Sequence, residues 1–73
     1  MKPEKRSFTI AGHRTSISLE QPFWEALREI AGHRKLSLAQ LVVAIDSARG
    51  RTNLSSAVRV HILEYYRNPA RPA

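Results

Sequence analysis

The sequence predicts a mainly α domain in which one short N-terminal strand, or a hairpin, is followed by three helices. Two copies are expected to intertwine around an antiparallel ribbon formed between subunits. Three observations lead there. In "RTSISLE" residues Thr15, Ile17 and Leu19 share one parity, the pattern of a strand with one covered face. Beyond Pro22 the apolar period becomes helical and recurs in three blocks. The last two blocks are apolar on most sides, and a lone strand leaves N–H and C=O groups unpaired on both edges, so both call for cover from another chain. With 73 residues and no cysteine, disulfide stapling is excluded and a second copy is the remaining way to enlarge a marginal core.

The elements follow in order. Residues 1–6, "MKPEKR", read as a flexible basic arm, residues 7–67 as a single domain, and residues 68–73, with two prolines, as a flexible tail. Phe8 and Ile10 lie on the parity opposite to Thr15, Ile17 and Leu19, so the chain must bend between them. "AGHR" is the place, with Gly12 allowing a turn or a bulge. Arg14, Ser16 and Ser18 then project from the face opposite Ile17 and Leu19. Pro22 suits the first turn of helix one, whose apolar side holds Phe23, Trp24, Leu27, Ile30 and Ala31 and which ends near "GHRK". Ser37 is an N-cap for helix two, with Leu38, Leu41, Val42, Ile45 and Ala48 on its apolar side. Helix three is capped by Asn53 or Ser55. It carries Leu54, Ala57, Val58, His61, Ile62 and Tyr65 on one stripe, which Val60, Leu63 and Tyr66 widen. The expected dimer core is Ile17, Leu19, Trp24, Leu27, Leu41, Val42, Ile45, Val58 and Ile62.

Twelve Lys and Arg against six Asp and Glu give a formal charge of +6, which favours a polyanionic partner such as nucleic acid. The basic residues gather at element ends: Lys2, Lys5, Arg6 and Arg14 before helix one, Arg34 and Lys35 at its end, Arg49 and Arg51 after helix two. Apolar runs such as "LVVAI" are far shorter than the roughly 20 residues of a membrane span, and the N-terminus has no apolar leader, so a cytoplasmic protein is expected. His13, His33 and His61 have no shared ligand spacing, no glycine-rich phosphate loop is present, and the few carboxylates do not pair for acid–base work. No enzyme, metal site or cofactor is expected.

The run "TSISLEQPFWEALREIAGHRKLSLAQLVVAI" resembles the ribbon-helix-helix family. The residues that carry the likeness are an alternating strand ending in "ISL", a proline opening the first helix, Ala31 late in it, then "LS" at 36 and 37 and "QLVVAI". "GHRTSISLE" and "NLSSAVRV" are similar to a small bacterial branch with an additional C-terminal helix. Two features depart from the minimal pattern: Lys35 stands where many members have glycine, and the third helix is extra. "NLSSAVRVHI" also looks like a second helix of the family.

The resemblance implies a DNA-binding homodimer whose ribbon lies in the major groove. Arg14, Ser16 and Ser18 would read base edges, Arg14 being the strongest because arginine can bond guanine twice. Phosphates would be held by the backbone at Ser37, Leu38 and Ala39, by Arg34 and Lys35 just before them, and by Lys5 and Arg6 of the arm. The expected function is a transcriptional regulator, a repressor, acting on double-stranded DNA in the nucleoid. The alternative is a protein-interaction module, antitoxin-like or an adaptor, whose basic ribbon meets an acidic protein. Antitoxins of the family usually extend beyond the DNA-binding part, whereas only "RNPARPA" follows the last helix here.

Overall fold

Ala11 and Gly12 both adopt left-handed backbone, with φ of 52° and 81°, and this pair closes the tightest form of hairpin. Two residues at positive φ twist in the same sense as the strands they join, so β1 (Glu4–Ile10) folds directly back on β2 (His13–Leu19). The hairpin alternative is therefore the one formed, and β2 finds its first partner inside its own chain. The register runs from Ile10 opposite His13 to Glu4 opposite Leu19. The computed structural model describes residues 1–68, so the expected tail falls almost wholly outside the described residues.

Strand β1 corrects the expectation of a loose arm over residues 1–6. Glu4, Lys5 and Arg6 belong to the strand, opposite Leu19, Ser18 and Ile17. What holds them is Trp24: its fully buried indole donates to the Glu4 carbonyl at 3.0 Å, its ring stacks on Phe8, and the Arg6 guanidinium lies 5.0 Å from its centroid.

Three helices follow. Helix α1 (Gln21–His33) has Pro22 in its first turn and ends in a Schellman-type cap. The Leu36 N–H bonds the Ala31 carbonyl at 2.9 Å and the Lys35 N–H bonds the Gly32 carbonyl at 3.1 Å. Lys35 takes the left-handed position of that cap at φ 57°. Helix α2 (Leu38–Ala48) opens with a reciprocal box in which Ser37 and Gln40 each cap the other's N–H. Asn53 caps α3 (Leu54–Arg67) by accepting from the Ser56 N–H.

The sheet face with Ile17 and Leu19 and the three helices enclose one core. All nine residues expected in a core shared between subunits are buried within a single chain, none more than 6% exposed. The widened stripes are what one chain leaves open: Val43 on α2 and Val60, Leu63 and Tyr66 on α3 are 41–54% exposed.

Candidate nucleic-acid interface

Alternation along both strands sorts the hairpin into two faces. Ile10, Ile17 and Leu19 are buried and Phe8 is half-buried on the inner face. The outer face carries Lys5, Ser7 and Thr9 from β1 beside Ser18, Ser16 and Arg14 from β2, paired in that order across the strands. All are exposed except the half-buried Ser18. The face holds two cations and four hydroxyls and no carboxylate, because Glu4 has the opposite parity. Ser7 and Ser16 bring their hydroxyls to 3.5 Å of one another. Lys5, expected on an arm, thus stands on the same surface as the three residues expected to read bases. Arg6 does not: its side chain turns to the inner side, over Trp24.

The two-residue turn also settles which backbone groups remain open. Residues flanking such a turn form a hydrogen-bonded pair, and pairs alternate from there. The N–H and C=O groups of Arg14, Ser16 and Ser18 therefore point outward from the free edge of β2, and those of Lys5, Ser7 and Thr9 from the free edge of β1. At Ser18 the edge is occupied by α3. Ser55 Oγ accepts the Ser18 N–H at 3.4 Å, and Arg59 donates to the Ser18 carbonyl at 3.3 Å. Arg59 also pairs with Glu20 at 2.9 Å, and this hydrogen bond is the main reason the Glu20 carboxyl is held below the usual carboxylate range. Glu20 precedes α1 without capping it through its side chain.

A second basic cluster lies at the α1–α2 turn, separated from the hairpin by the length of α1, about 20 Å for a helix of this size. Arg34 and Lys35 are exposed there. Leu38 and Ala39 occupy the first turn of α2, where backbone N–H groups have no intrahelical partner and the helix dipole is positive. The Ser37 N–H is not available to a phosphate, because the Gln40 carboxamide accepts it at 2.8 Å.

Sequence reasoning missed Ser7 and Thr9 on the outer face, and the Ser55–Arg59–Glu20 clamp behind it. The first was within reach: a two-residue turn at Ala11 and Gly12 places Thr9 opposite Arg14. The clamp joins residues 37 to 41 positions apart, and nothing local announces it. Among the described residues no three His, Asp or Glu side chains gather as metal ligands, and no described helix is long and apolar enough to cross a membrane.

A ribbon-helix-helix domain model matches residues 3–66. Among solved structures, the chain is similar to an uncharacterized protein from Bordetella pertussis Tohama I, with 34% identity and a TM-score of 0.82. That match covers 93% of this chain and 58% of the other, so this chain spans little more than half the length of that protein. No curated protein matches.

Proposed function

Because the chain belongs to the ribbon-helix-helix family, whose members in general bind DNA and form dimers, we propose that it is a homodimeric, sequence-specific transcriptional regulator, a repressor, that presses its β-ribbon into the major groove. The observation that carries this reading is the outer hairpin face, cationic and rich in hydroxyls and without a carboxylate. Arg14 supplies the bidentate donor for a guanine, and Ser16 and Ser18 supply short donors and acceptors that tolerate several bases. The Leu38 and Ala39 N–H groups, with Arg34 and Lys35, hold phosphate and set the register of the ribbon. In the dimer the open edge of β2 at Arg14 and Ser16 meets the same edge of the partner, and the exposed α2 and α3 side chains meet across the same axis.

A mobility-shift selection from a genomic fragment library tests the proposal and names the site. Retained fragments should share a twofold sequence element. With about six to eight phosphates contacted per dimer, log affinity should fall with log salt at a slope of roughly −5 to −7. A library from which no duplex is retarded at low salt would sink the DNA reading and favour an acidic protein partner.

A further inference from the structure

The outer face is not chemically uniform, and the difference follows the strands. Strand β2 presents Arg14, whose planar guanidinium bonds a guanine twice in a fixed fork. Strand β1 presents Lys5, a point charge suited to a phosphate oxygen, and both strands carry hydroxyls that bond phosphate or base alike. Geometry sorts them the same way. Neighbouring strands lie about 4.8 Å apart, and the major groove is about 12 Å wide. With β2 and its symmetry mate side by side along the groove floor, β1 lies about 7 Å from the groove axis, against the sugar–phosphate wall. Its free-edge N–H groups at Lys5, Ser7 and Thr9 point sideways, in the direction of that wall.

We infer that β1 is the phosphate-holding strand of this interface, with the Lys5 ammonium, the Ser7 and Thr9 hydroxyls and their edge N–H groups gripping the groove wall while β2 reads the floor. This rests on the DNA-binding reading and assigns the two strands of one hairpin separate duties. Thr9, directly opposite Arg14, holds the phosphate beside the base that Arg14 reads, so each hairpin carries its own register stop.

The test uses the full chain, a selected operator and a random duplex of equal length. Thr9→Val removes the hydroxyl at constant shape and strand propensity, and Ser7→Ala removes the other. Each should weaken binding about threefold to tenfold per half-site, the range for one hydrogen bond, on both duplexes alike, with the selected consensus unchanged. Thr9→Ser should restore wild-type affinity. Phosphate-ethylation interference should lose one position per half-site in Thr9→Val. Lys5→Ala should also flatten the salt slope by about 0.9 per subunit. A changed consensus in Thr9→Val or Ser7→Ala would overturn the inference, as would undiminished affinity in both. Arg14→Ala separates the two failures: if it still alters the consensus, DNA reading stands and only the duty given to β1 falls. If no duplex binds wild-type protein, both fall.

Discussion

At the scale of single residues, Lys35 sets the backbone against the phosphate contact proposed for it. The Schellman cap needs a left-handed residue, and a side chain there costs about 1 kcal/mol relative to glycine. Lys35→Gly should therefore raise stability by about 1 kcal/mol in urea denaturation while weakening binding to every DNA sequence and flattening the salt slope. If both stability and affinity rose, Lys35 would have no part in holding phosphate. Arg14→Ala should lower affinity by roughly 1 to 3 kcal/mol per half-site and relax one base position, with smaller changes for Ser16→Ala and Ser18→Ala. Selection from randomised operators reads this directly, and an unchanged Arg14→Ala consensus would remove base reading from the ribbon. The parity of Arg14, Ser16 and Ser18 was legible, because alternation is a local property. The fate of Arg6 was not, since whether a cation faces solvent or an indole depends on Trp24, 18 positions further along the chain.

Among the elements, the hairpin was half legible. The change of phase between Ile10 and Thr15 demanded a bend, yet "EKR" looked like a loose arm because nothing nearby shows that β2 will pair with it and that Trp24 will bond Glu4 and underlie Arg6. The caps at Ser37 and Asn53 were readable from residue type alone. What fastens β2 to α3 is a tertiary clamp with a titratable member. The Glu20 carboxyl is lowered in the folded chain, so its contribution is present above the unfolded carboxylate pKa and is lost as pH falls through the lowered folded value. The Leu19 amide resonance, whose peptide carbonyl is the Ser18 oxygen that Arg59 bonds, should shift with that titration as Arg59 is released, and Glu20→Gln should abolish the acid-dependent shift. An unchanged titration curve at Leu19 in Glu20→Gln would show that the ion pair does not hold the strand.

For the molecule as a whole, the width of the apolar stripes suggested that one chain could not close its own core. The core nonetheless closes through the packing of α3 across both other helices and β2, a long-range arrangement that a helical stripe does not encode, while Val43, Val60, Leu63 and Tyr66 stay open. Ile17→Asp should unfold the chain, because the position is fully buried with no partner for a carboxylate. Leu63→Lys should do something different: at 54% exposed it leaves the fold intact and weakens self-association. Light scattering and circular dichroism on the two variants check the contrast. If Leu63→Lys unfolded the chain, folding and pairing would be a single event.

A core closed within one chain has a consequence for how few molecules suffice. An obligately intertwined regulator must find its partner before it can persist, and at low copy number it is lost while waiting. With all nine expected core residues buried inside one chain, a single copy is expected to keep its fold, and under the proposed function such copies form a reserve that the two halves of an operator gather. Below the concentration at which free dimers dissociate, occupancy then rises with the square of the number of copies, and a repressed promoter would respond to a small change in supply as a switch rather than as a dial.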